Sequence, residues 1–394
     1  MRQTVFIRPE VLVWARRSCG LSPKRAADLL DVTVETLALW EKEGQAFTIS
    51  ALRELGQKYK RPIVALVQST VPPLPEPPED FRTFGGRPPE LGALTLLTIR
   101  DTKRIQDIAS EIVMQDKSLF PALSIPQADW KAENASELAL FERQSLGITI
   151  QEQLHWSSAN EAFNAWRTRI QLRGVLVLVK AMDAKDCRGF SLYEHGKMPV
   201  IVANQKEIDQ AKIFTLCHEY AHLLLRREGV CLEQGGNKTE REKIEAWCNA
   251  FAGTLIAPES EVRAALRGQT IDAELVGTLA RKFNVSRPVI AIRLRNEGLV
   301  DDAFVKQFTA NAEEIWRQKP IIEEDETTEE DDGFRRRQED IRLSEVGFAY
   351  AKIVLGALHN EFVTVREACD YLNVRAEVLE PLEGRARSFE ARHA

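Results

Sequence analysis

Apolar positions change their spacing along this chain, and the changes mark its elements. Residues 8–68 place Leu12, Ala15, Ala26, Ala27, Leu30, Leu37 and Trp40 at helical intervals. Within them, Ser22-Pro23 reads as an N-cap followed by proline at the first helical position. That helix is expected to end at Leu30, with a short Asp31-Val32 turn and Thr33 as the cap of the next helix. Residues 91–172 show spacings of three and four, as in Ile105, Ile108, Ile112 and Phe163, Trp166, Ile170, which predict amphipathic helices. The period then shortens. Three runs, 174–179 (GVLVLV), 188–193 (RGFSLY) and 199–203 (PVIVA), predict a small three-stranded antiparallel sheet. Helical spacing returns over 206–226 and 240–257. The expected fold class is therefore α+β: an N-terminal all-α helix-turn-helix domain, a core with a small antiparallel sheet, and a helical C-terminal extension.

Proline and charge divide the chain further. Seven of the 17 prolines fall between Pro72 and Pro89, a density that blocks helices and favours extended backbone. Eight of the ten residues Glu323–Asp332 are acidic and read as a solvated spacer. The expected organisation is a helix-turn-helix domain at 1–70, a proline-rich linker at 71–90, a large domain at 91–320, an acidic spacer at 321–337 and a helical C-terminal domain at 338–394. The large domain's core is expected at about 170–300, including a helical hairpin at 272–300.

The 394-residue chain carries 53 Lys+Arg and 59 Asp+Glu, a net charge of −6, so it is no polycation built to coat nucleic acid. Residues 1–70 hold 11 basic and 7 acidic residues, however, so any DNA contact belongs there. Lys24 and Arg25 are candidate phosphate contacts, and Thr33 and Thr36 candidate contacts at the second helix. Six scattered cysteines without CxxC spacing argue against a disulfide framework and fit a reducing cytoplasm. No apolar run approaches the ~18–20 residues of a membrane span, so no membrane partner is expected.

The strongest chemical signal lies in Phe214-Thr-Leu-Cys-His218-Glu219-Tyr-Ala-His222-Leu-Leu-Leu225. Residues four apart project from one face of a helix, so His218 and His222 can grip one ion. Glu219, beside that face, can reach a water on the ion and not the ion itself. This is the HExxH arrangement of zinc peptidases. Zinc lowers the pKa of its water to roughly 7, and a carboxylate can then act as general base. Such a site wants a third protein ligand. The downstream helix offers Glu240, Glu242 and Glu245; Glu245 shares a face with Cys248, Asn249 and Ala252 and is the first candidate, Glu242 the second. Cys217 and Cys248 read as small buried hydrophobes.

Together, the strands carrying GFS and PVIVAN, the segment FTLCHEYAHLLL and the later ExxxNxFAGxLIAP resemble the ImmA/IrrE-type metallopeptidases over roughly residues 170–300. The resemblance implies a zincin-like, gluzincin-type core using Zn²⁺ or Mn²⁺. It places His218, His222 and Glu245 as metal ligands and Glu219 as general base. It also implies a protein substrate, a transcriptional repressor or antitoxin-like partner, and a role in stress response or toxin–antitoxin control. Residues 1–70 resemble the XRE-type helix-turn-helix domains often fused to such peptidases. The alternative reading is a DNA-binding regulator or antitoxin whose peptidase-like core senses a ligand or binds a partner. Two departures stand out: Cys248 where alanine is common, and Tyr220-Ala221 inside HExxH.

Overall fold

The computed structural model describes residues 4–68, 70–71, 91–183, 186–226, 238–266, 268–309 and 337–393. Residues 72–90 and 321–336, where the sequence puts the linker and most of the acidic spacer, lie outside them. The chain divides into two compact units, and the division falls after Asp101.

The first unit is not all-α. It contains β1 (Thr4–Ile7), α1 (Pro9–Arg17), α2 (Pro23–Leu30), α3 (Val34–Glu43), β2 (Gln45–Thr48), α4 (Ile49–Lys58), α5 (Ile63–Leu66) and the start of α6 (Ala93–Gln115). Strands β1 and β2 pair antiparallel, Thr4 opposite Thr48 and Ile7 opposite Gln45. They are four residues each and some forty residues apart, so no hairpin turn announces them. Local chemistry sets the helix ends. Ser22 Oγ accepts from the Arg25 amide, Thr33 Oγ1 from Thr36 and Thr48 Oγ1 from Ala51, while Asp31 closes α2 in the left-handed region at φ 58°. Ile7, Leu12, Leu37 and Leu52 are fully buried at the centre. Arg16 donates twice to the Glu41 carboxylate, at 2.6 and 2.9 Å, and so ties α1 to α3.

The second unit follows with a 3₁₀ turn at Lys117–Leu119, α7 (Ala135–Ser145), α8 (Ile150–His155), α9 (Ala159–Gln171), β3 (Leu176–Lys180), β4 (Gly189–Leu192), β5 (Val200–Asn204), α10 (Asp209–Leu224) and α11 (Lys238–Ile256). Then come α12 (Glu259–Leu266), α13 (Ala273–Phe283), α14 (Arg287–Asn296), α15 (302–309), α16 (Gln338–His359), α17 (Val365–Leu372) and α18 (Ala376–His393).

Its sheet has the order β3-β5-β4. Strand β5 pairs parallel to β3, with Leu176 opposite Val200, and antiparallel to β4, with Gly189 opposite Ala203. The expected antiparallel sheet is thus a mixed one. Short runs and turn signals give strand positions but not strand order, and here the last strand returns between the first two. Every residue of the three strands is buried, which explains their continuous apolar character.

The helices from Gln338 onward belong to this same unit, and α16 packs along the edge strand β3. The chain breaks helical geometry at Gly347 (φ 78°, ψ 156°) in the middle of α16. Beneath the break, the buried Arg167 donates from Nε and Nη2 to the Val177 carbonyl, at 3.1 and 2.7 Å, and from Nη1 to the Ser344 carbonyl at 2.9 Å. Burial pulls this guanidinium down to about 10, and three carbonyl contacts take the place of water. A Cβ on Gly347 would stand 2.7 Å from both Arg167 Nη2 and Val177 O. Gly347→Ala is therefore expected to lower stability by roughly 2–4 kcal/mol, from positive φ and overpacking together. Gly384→Ala in α18, where a Cβ meets nothing within 4 Å, serves as control. Urea unfolding of both variants measures the difference, and equal midpoints would remove the packing role assigned to Gly347.

Candidate metal centre

Helix α10 is buried on all sides from Leu216 through Leu224. Polar side chains inside it require specific partners. His218, Glu219 and His222 are 1%, 2% and 1% exposed, and each faces a defined group. Phe214, one turn before His218, stacks on its ring at a centroid distance of 6.2 Å.

From α11, Glu245 reaches both imidazoles. His218 Nε2 lies 3.4 Å from Glu245 Oε2, His222 Nε2 lies 3.5 Å from Oε1, and the two Nε2 atoms are 3.1 Å apart. Nitrogen and oxygen ligands about 2.0–2.1 Å from a tetrahedral zinc stand about 3.3–3.4 Å from one another. The triangle of donor atoms matches one face of such a tetrahedron, so the donor set fits a metal ion. Glu245 is 30% exposed, which leaves the group open on one side, as a catalytic site requires. Among the described residues, His218, His222 and Glu245 form the metal-capable cluster.

The second candidate, Glu242, is exposed and outside this cluster. Glu240 pairs with Lys131 at 3.1 Å. Cys217 and Cys248 are fully buried and lie outside the ligand group; burial pushes the Cys217 thiol up.

Glu219 points to the strand side. Ser191 Oγ on β4 donates to Glu219 Oε2 at 3.0 Å, both groups being buried. Close approach of β4 to α10 makes this contact possible. A Cβ on Gly189 would lie 2.4 Å from Thr215 Cγ2 and 2.6 Å from the Val202 carbonyl. The sequence reading missed Ser191. Its one signal was a lone hydroxyl within the buried run Gly189–Leu192.

The opposite side of α10 is anchored by Tyr220, whose hydroxyl donates to the fully buried Glu142 at 2.6 Å, with Arg173 3.9 Å from the same carboxylate. Burial, then Glu142, pushes the Tyr220 phenol well above its usual range, so it stays a donor. The end of α11 is held by a buried polar clamp. Arg143 donates to Leu255 O at 2.7 Å and to Gln153 Oε1 at 2.7 Å, and Gln153 Nε2 donates to the carbonyls of Ile256 and Phe283. These bonds satisfy carbonyls that a helix end leaves open and fix the axis on which Glu245 rides.

The four candidate DNA contacts lie in the first unit. Lys24 and Arg25 are exposed on α2, while the hydroxyls of Thr33 and Thr36 lie 3.1 Å apart and Thr33 Oγ1 caps α3 by accepting from the Thr36 amide. Glu35 sits between them. Its own backbone amide and the Thr33 hydroxyl hold its carboxyl below the usual range, which keeps a negative charge at the front of α3.

The site falls inside a recognised family segment. Residues 170–295 match the model of the IrrE N-terminal-like domain, Peptidase_M78. No curated protein matches the chain. The matched segment spans β3 to α14 and includes His218, Glu219, His222 and Glu245, and it supports a metallopeptidase-type function. No described helix is long and apolar enough to cross a membrane.

Removing one ligand leaves two, so His222→Ala and Glu245→Ala are each expected to weaken zinc binding by roughly 100-fold or more. Metal content after dialysis, with circular dichroism to check folding, measures this. Retention of a full zinc equivalent by a folded Glu245→Ala variant would remove Glu245 from the ligand set.

Proposed function

We propose that this protein is a metal-dependent endopeptidase, with Zn²⁺ as the ion and Mn²⁺ as the alternative. The observation that carries the reading is the triangle of His218, His222 and Glu245 donor atoms at 3.1–3.5 Å, with the Glu219 carboxylate beside it. When bound there, the ion acidifies a water and polarises a peptide carbonyl. This chain's own groups do the rest. Ser191 donates to Glu219 Oε2 and so orients the carboxylate that would accept the water's proton. Glu219 can hold that proton and return it to the leaving amine. The burial of Glu219 excludes bulk water from the transfer.

Strand β4 is the natural place for a substrate. It lies at the edge of the sheet, pairs only with β5 among the described strands, and carries Ser191 next to the base. An extended peptide adding to that edge would run past Glu219, with backbone hydrogen bonds giving affinity. By the resemblance of this segment, the substrate is a transcriptional repressor or antitoxin-like protein in the cytoplasm. The free thiols of Cys19, Cys187, Cys217 and Cys248 fit that compartment.

Residues 1–70 fit a helix-turn-helix domain coupled to the peptidase. Helices α2 and α3 are joined through the left-handed Asp31 and capped by Ser22 and Thr33, and Lys24 and Arg25 are open to solvent. These features also favour the second reading, a DNA-binding regulator whose core senses or binds a partner. The fixed negative charge of Glu35 at the head of α3 weighs against tight phosphate contact there.

Glu219→Gln separates the two. The variant is expected to keep its metal while losing about 10²–10⁴-fold in cleavage rate. Comparing new protein N-termini in cells that express native protein and variant reads the loss directly. Identical sets of termini would sink the peptidase reading, and promoter binding by both proteins would then favour the regulator.

A further inference from the structure

The first unit contains a concavity of about 490 Å³ at the end of α4, lined by Arg53, Gly56, Gln57, Lys60, Arg61, Pro62 and Ile63. Three of these residues are cations, and no described carboxylate lines it. Arg100, from the first turns of α6, backs the same wall by donating to the Lys60 carbonyl at 2.7 Å. Among the described residues, none of Arg53, Lys60, Arg61 or Arg100 forms an ion pair; the nearby Glu54 is taken by Lys58 at 2.9 Å.

The end of a helix accounts for some positive charge, since a cation there gains about 0.3–1 kcal/mol from the macrodipole. Lys58, in the last turn of α4, already supplies that charge. Four further cations that meet no counter-charge among the described residues repel one another. Arg61 records the strain of the arrangement: burial, and after it the neighbouring Arg100, pull it down to about 10. It is nonetheless held in place, its face over the Trp14 ring at 4.3 Å and its Nε donating to Ser18 Oγ at 3.1 Å. Lys60 adds a second cost. It occupies a left-handed conformation (φ 48°) just past the helix, where glycine or asparagine is the usual residue.

We infer that this concavity is a binding site for a phosphate ester of nucleotide size. Arg53 and Lys60 would meet the phosphate oxygens, and the apolar surface of Pro62 and Ile63 would take the organic body. The hollow, about 490 Å³, is wide open to solvent, so a ligand there would lie against one face of the unit and would not be enclosed. Neither α2 nor α3 contributes a lining residue, so the site does not depend on either helix gripping DNA. A duplex would in any case need an extended basic stripe, and these cations are gathered around one hollow.

The test uses the full chain with ATP as the probe, and with inorganic phosphate and a short mixed-sequence duplex as separate arms. Thermal shift and calorimetric titration are run on native protein, Arg53→Ala and Lys60→Gly; glycine suits the left-handed backbone, so the second variant keeps the fold. ATP is expected to raise the melting temperature, inorganic phosphate to compete weakly, each variant to lose at least tenfold in affinity, and Lys60→Arg to keep binding. Absence of ATP binding by the native protein would overturn the inference. So would undiminished binding in both variants, or duplex binding lost in the variants without any nucleotide binding.

Discussion

Two imidazoles and a carboxylate brought within 3.5 Å of one another inside an apolar helix pair are the constraint on which this architecture turns. Three donor atoms this close match one face of a tetrahedral metal site, so the group fits a metal ion. Holding them requires α10 and α11 to keep fixed positions, and neither helix is fixed by its own sequence alone. The Tyr220 to Glu142 bond pins α10 to α7, and the Arg143 and Gln153 clamp pins the end of α11 to α8 and α13. Hydrogen bonds to charged groups of this kind contribute roughly 1.5–3 kcal/mol each and cost more than that when one partner is lost. A metallopeptidase-type centre in this chain thus rests on polar contacts 78 to 130 residues apart.

The sheet transmits the same constraint. Strand β5 lies between β3 and β4, so any displacement of β3 reaches β4 and with it Ser191. Helix α16 covers β3 and breaks at Gly347 over Arg167. The residues after Gln338 therefore complete the packing of the sheet that carries Ser191.

Much of the site was legible in the sequence because it is local. His218, Glu219 and His222 lie within one helical turn and a half, so spacing alone puts them together. Glu245 followed from a helix face, and helices 206–226 and 240–257 correspond to Asp209–Leu224 and Lys238–Ile256. What stayed hidden is non-local. The β1 and β2 pair and the parallel pairing of β3 with β5 depend on partners that hydrophobic period cannot name. Ser191 needed the close approach that Gly189 allows, and the Glu142, Arg143 and Gln153 contacts join segments far apart in the chain.

One local motif recurs three times and shows why backbone likeness is weak evidence of function. Asp31, Asn284 and Asn373 each close a helix in the left-handed region, and each is followed by a valine whose amide bonds back to a carbonyl five residues earlier: Val32 to Ala27, Val285 to Ala280 and Val374 to Cys369. The turn chemistry is the same because asparagine and aspartate tolerate positive φ and a following apolar residue seals the helix end. Their surroundings differ. After the first turn the second helix opens with Glu35, after the second with Arg287 lying over Gly277, and after the third with Arg375 and Glu377 exposed. A helical hairpin of this form is a packing solution first. In each copy the chemistry is set by the side chains that the turn leaves facing outward.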